Sequence, residues 1–236
     1  MGKRLIFSIL FVLGIVAAAQ ADETKFLQLA VFNPVQTVPA DQSIAGARFG
    51  LFYTLNKDVS GFSLTLLGLD KTTGDFKGAE LSLVNWVEGS FYGLRAGIVN
   101  RTANRFVGLD YGLVNVTEGD FTGWQDGIVN WTEGFLHGWQ DGFVNYAKGR
   151  FVGLQSGLVN VSKGEFSGAA IGAVNYTDNQ FKGFQGGIFN YAAEMKGFQL
   201  GLVNVTKKLN GLQIGLGNYN GNKQPFEFLP IVNWSF

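Results

Sequence analysis

Cysteine is absent from this 236-residue chain, proline occurs four times and histidine once. Without cysteine there is no disulfide framework, no thiolate chemistry and no lipid-modified cysteine to anchor the chain. One histidine, His137, leaves little with which to build a metal site. Lysine and arginine (18) balance aspartate and glutamate (18), and no basic stripe stands out. Nucleic acid is therefore not an expected partner. Long apolar runs are also missing. The longest, Leu5 to Val16, has 12 residues, too short to span a membrane comfortably. Lys3 and Arg4 precede it and Ala19-Gln20-Ala21 follows it, so residues 1–21 read as a secretory signal cleaved before Asp22. Its removal leaves 16 basic against 18 acidic residues, a formal −2.

What the chain has instead is repetition. Asparagine recurs every 15 residues at Asn85, Asn100, Asn115, Asn130, Asn145, Asn160, Asn175 and Asn190, then at Asn204, Asn218 and Asn233. A fixed period of this kind dictates the fold before any local motif does. Residues Phe106 to Val116, FVGLDYGLVNV, serve as the template and are lettered a to k. Side chains alternate along a strand. Leucine and other apolar residues at d and h then share one face, while glutamine or charge at e, flanked by glycine, shares the other. Thr117 to Asp120 has the composition of a tight turn. In an antiparallel register Val116 meets Phe121, Val114 meets Gly123, Gly112 meets Gln125 and Leu113 meets Trp124, so large faces small on one side and apolar faces apolar on the other.

One strand and one turn per repeat predict an all-β antiparallel meander of about 14 strands, one domain over residues 22–236. Exported strands of roughly 11 residues suit a closed transmembrane-type β-barrel in a bacterial outer membrane, with lipid outside. Val232, Trp234 and terminal Phe236 resemble the segment by which such barrels engage their assembly machinery. A β-solenoid is the alternative, and a soluble sandwich a third. The asparagine column and the lack of any difference between odd and even repeats favour the solenoid. Eleven alternating residues look too long for one side of a 15-residue turn.

The segments GLQSGLVN (153–160), GFQLGLVN (197–204), GLQIGLGN (211–218) and FLQLAVFNPVQ (26–36) resemble a family of exported bacterial "surface repeat" proteins. The resemblance covers nearly all of the mature chain. It implies a place in the cell envelope and carries over no activity and no site residue.

Two groups of residues stand out. Arg48, Glu80, Arg95 and Asp110 all occupy e. In a barrel they would line the lumen, as a selectivity constriction or as an internal salt-bridge network holding the wall. The pair GWQDG (123–127 and 138–142) places Asp126 beside Asp141, flanked by Trp124 and Trp139 with His137 nearby. Paired carboxylates can serve acid–base chemistry, yet one histidine and no cysteine make catalysis or metal binding a poor fit. A polar patch touching a partner or a second copy suits it better, and a homo-oligomer stays open. No enzyme activity, cofactor or metal is expected. The matches to the glycosylation sequon, such as Asn115-Val116-Thr117, come from one repeat and read as strand-end turn chemistry.

Overall fold

A computed structural model describes residues 24–223 and 225–236; the proposed signal segment and its cleavage site lie outside them. Strands follow in the order β1 (Thr24–Phe32), β2 (Val35–Gln36), β3 (Ser43–Gly50), β4 (Tyr53–Asn56) and β5 (Val59–Thr72). One strand per repeat follows: β6 (Phe76–Val87), β7 (Phe91–Thr102), β8 (Phe106–Thr117), β9 (Phe121–Thr132), β10 (Leu136–Ala147) and β11 (Phe151–Ser162). The long run β12 (Phe166–Asn220) winds through four further repeats, and β13 (Phe228–Ser235) closes the described chain.

The repeats do not run up and down. Each closes one turn of a coil, and the next turn lies parallel and in register upon it: Phe106↔Phe121, Leu109↔Trp124, Asp110↔Gln125, Asn115↔Asn130. The same register carries β9 onto β10 and β10 onto β11. The molecule is a β-solenoid of about ten turns, and the expected antiparallel barrel is corrected accordingly.

The physical reason lies in the glycines. Buried side chains fall at a, e, j and in the place after k, as at Phe106, Asp110, Asn115 and Thr117. Positions a and e keep strand alternation with each other. Position j has switched parity, so the chain turns a corner between h and j. A second bend comes at c, where Gly108 has φ 138°, a conformation that L side chains rarely adopt. A Cβ there would lie 1.8 Å from the carbonyl oxygen of Gly93 in the turn below. The eleven-residue alternation is thus folded around two bends of the coil, which removes the length objection to a solenoid.

Four columns fill the interior, the one after k holding small side chains such as Thr102, Thr117 and Thr132, and three of them stack like upon like. Phe76, Phe91, Phe106 and Phe121 stack with ring centroids 4.9–5.0 Å apart, the spacing that the strand ladder itself imposes. Each is fully buried, contributing about 1.5–3 kcal/mol of apolar burial. The second column is asparagine. From Asn85 to Asn218, each Nδ2 donates to the next Oδ1 at 2.7–2.9 Å. The same nitrogen donates to a carbonyl of the following turn, as from Asn115 to Asp126 O at 2.7 Å. Both amide protons are thereby satisfied, which burial in a low dielectric demands. The third column is glutamine, and it runs the other way: Gln140 Nε2 donates back to Gln125 Oε1, and Gln155 Nε2 back to Gln140 Oε1, each at 2.8 Å.

The coil is covered along its last turn and, at its other end, over only the final residues of β1. β2 pairs antiparallel with the outer edge of β1, and β13 pairs antiparallel with the last turn of β12, Leu212↔Trp234 and Gln213↔Asn233. Asn218 Nδ2 donates to Leu229 O of that cap at 3.2 Å, and Asn233, which pairs opposite Gln213, donates its Nδ2 to Asn218 O at 3.4 Å. Capping of this kind keeps a stack of parallel strands from adding another chain. The segment ending at Phe236, read from sequence as an assembly signal for a barrel, is this cap.

Candidate functional site

Arg48, Glu80, Arg95 and Asp110 are brought into one column, together with Ser63: Arg48↔Ser63, Ser63↔Glu80, Glu80↔Arg95 and Arg95↔Asp110 are direct neighbours. They are at most 2 % exposed. The lumen they were expected to line is absent, since the barrel is not formed, and the selectivity reading goes with it. What they make is a buried ion network. Arg48 donates to Asp70, to Ser63 Oγ (2.8 Å) and to Thr72 Oγ1 (3.0 Å). Arg95 holds Asp110 by two bonds and also donates to Thr102 Oγ1 at 2.8 Å.

Asp70 is a member that sequence reasoning missed. It stands 15 residues before Asn85 and pairs with it in register, an acid in the asparagine column, and that spacing was the available signal. Two guanidiniums thus meet three carboxyls, and Glu80 is the one held least closely, 3.6 Å from Arg48 Nη2. Neither of its oxygens has a hydrogen-bond partner. Burial, and then the charge of Asp70, push its pKa well above the ordinary value of 4.5, against the opposing pull of Arg95 and Arg48.

The outer surface is the reverse of the core. Rows d, f and h point outward from one flat side of the coil; the sequence reading turned these leucines outward to lipid around a barrel, and here they lie on the surface of a solenoid. Leu94, Leu109 and Leu113, with Ile128, Phe143 and Leu158 further along, are all exposed. Over about ten turns at ~4.8 Å per turn and roughly 13 Å from d to h, this side covers on the order of 600 Å². Interrupted in row f by Asp126, Asp141 and Ser156, it stands at the upper end of the apolar patches that monomeric proteins expose, and patches of that size often serve a function.

Within it a trough runs between rows f and h, floored by the backbone of the g glycines. Its first part, about 620 Å³, is lined by Tyr111, Leu113, Asp126, Ile128, Asp141 and Phe143 among others. The second, about 790 Å³, is lined by apolar side chains including Leu200, Leu202, Ile214, Leu216 and Ile231. Ser82 holds the g place in β6, its Oγ donating to Val84 O and Asn85 Oδ1; from Gly97 onward g is glycine, and a Cβ on Gly112 would come within 2.6 Å of Asn100 Nδ2 and 2.8 Å of Asn115 Oδ1.

The expected patch residues meet here in part. Asp126 and Asp141 are direct neighbours, and Trp124 stacks on Trp139 with centroids 4.9 Å apart. Burial and the nearby Asp141 raise the Asp126 pKa. His137 stands apart, across the bend at Gly138 and beside Phe135 at 6.4 Å between rings.

Comparison with family models, with curated proteins and with solved structures finds no match to the chain.

Proposed function

We propose that this chain is an exported, non-catalytic cell-envelope protein, a β-solenoid repeat scaffold that binds through its flat apolar side. One observation carries the reading: rows d, f and h expose leucine, isoleucine, phenylalanine and tryptophan along the length of the coil, although the interior is already filled by its own columns. A solenoid needs that surface for nothing internal, so its apolar character points to something that covers it. The secretory-type leader and the resemblance to exported surface repeats support the envelope location.

The test places glutamate on the exposed positions Leu94, Leu113 and Leu158, singly and together, in the protein expressed with its leader. Wild type should fractionate with the cell envelope, and the triple variant should leave it with unchanged circular dichroism. Retention of the triple variant, or recovery of wild type in the cytoplasm, would contradict the proposal.

A further inference from the structure

The trough narrows the choice of what covers the apolar side. An extended peptide laid along it would find no backbone partners, because the N–H and C=O groups of the turns are spent on one another along the coil axis. Its own amides would be buried unpaired. A second copy packed on the same side about a two-fold axis fares little better. Asp126 and Asp141 lie near the middle of the coil, so the axis would gather four carboxylates into a desolvated interface. Hydrocarbon has neither difficulty, since it asks for no hydrogen bonds and tolerates a smooth wall.

The two parts of the trough differ in chemistry, and they abut in the turn holding Ile171, Gly172 and Ala173. The C-terminal part is apolar. The other holds the paired carboxylates beside exposed Tyr111, with the stacked Trp124 and Trp139 in row d just outside its lining. Asp141 Oδ1 accepts from Ser156 Oγ at 2.5 Å, while the Asp126 carboxylate has no donor or cation among the described residues. Carboxylates with aromatic faces are the chemistry that holds an ammonium group.

We infer that the trough binds a straight-chain amphiphile with a cationic head, its ammonium at Asp126 and Asp141 and its hydrocarbon along Leu200, Leu202, Ile214 and Leu216. From the turn of Asp141 to that of Ile214 is five turns, or about 24 Å, a length an extended chain can follow. The volumes lie within the usual range for small-molecule sites. This rests on the scaffold reading above and adds the ligand class to it.

The test titrates the purified mature protein with hexadecyltrimethylammonium and, separately, hexadecyl sulfate, whose extended chains reach from Asp141 to Leu200, both below their micellar concentrations. Calorimetry and tryptophan fluorescence report binding, and circular dichroism confirms that the fold persists. Expected are saturable binding of the cationic probe and a preference of about tenfold over the anionic one. Asp126→Asn with Asp141→Asn should erase the preference, and Leu200→Glu with Leu202→Glu should weaken both probes. Absence of saturable binding, equal affinities in wild type, or a preference that survives the double Asn variant would overturn the inference. So would a dimer dissociated by Leu113→Glu, which would assign the side to a second copy. If the probes fail while envelope retention still depends on Leu94, Leu113 and Leu158, the ligand class is wrong and the scaffold reading stands.

Discussion

Arg95 holds Asp110 in the next turn by two parallel hydrogen bonds, 3.0 Å from Nε to Oδ1 and 2.7 Å from Nη2 to Oδ2, with neither side chain exposed. The guanidinium also lies over the rings of Phe91 and Phe106, 5.0 and 4.9 Å from their centroids. Asp110→Ala should therefore cost about 3–5 kcal/mol, because it leaves a buried cation without its partner. Replacing both, Arg95→Met with Asp110→Leu, should recover most of that loss. Urea unfolding midpoints of the single and double variants check it; a double variant as unstable as the single would refute the explanation.

Glu80 gives stability a pH dependence of definite sign. At pH values below the ordinary 4.5 the carboxyl is protonated in both states and adds no penalty. As pH rises from there through the raised folded value, the unfolded chain releases the proton while the folded chain keeps it. Stability then falls by up to about 1.4 kcal/mol per pH unit, and levels off beyond the folded value. Glu80→Gln should remove this slope and make the protein more stable than wild type at neutral pH. Chemical denaturation between pH 4 and 8 measures the difference between the two curves.

Glycine is required in some places and incidental in others. Gly108→Ala meets both an unfavourable φ and the Gly93 carbonyl, and should destabilise by about 3 kcal/mol or more. At Gly217 a Cβ would meet only the Phe228 ring, at 3.4 Å. Gly217→Ala should be neutral or stabilise by about 0.4–1 kcal/mol through the unfolded chain. Thermal melts of the pair decide whether contact with the turn below, rather than glycine content, sets the requirement.

Removal of residues 225–236 takes away β13 and bares the last turn of β12, an edge that β13 pairs over Gly211 to Tyr219. An open parallel edge templates further strands. The truncated protein should form concentration-dependent oligomers by light scattering, whereas a full-length chain carrying exposed Phe236→Ser should not.

Position by position, much of this arrangement was legible. The period and the separation of leucines at d and h from glutamines at e follow from alternation along the repeat, though which of the two faced outward did not, and Asp126 beside Asp141 follows from any in-register pairing. The absence of an odd–even difference between repeats was the legible sign that all turns are equivalent, as in a coil and unlike the strands of a barrel. The corner was not legible. Asn115 shifts parity relative to Asp110 only because the chain turns between them, and a strand pattern read letter by letter cannot register a turn made without a conventional turn sequence.

By itself the sequence determined that fifteen-residue units would be extended and all alike, with leucine turned one way and glutamine the other, because alternation and repetition are local properties. Only the tertiary structure decided that the units coil in one direction, since parallel and antiparallel pairing bury similar side chains. The choice is made by contacts between turns. Gly108 must pass within reach of the Gly93 carbonyl, Asn115 must find Asn130, and Arg95 must find Asp110. Each of these partners stands one full period away.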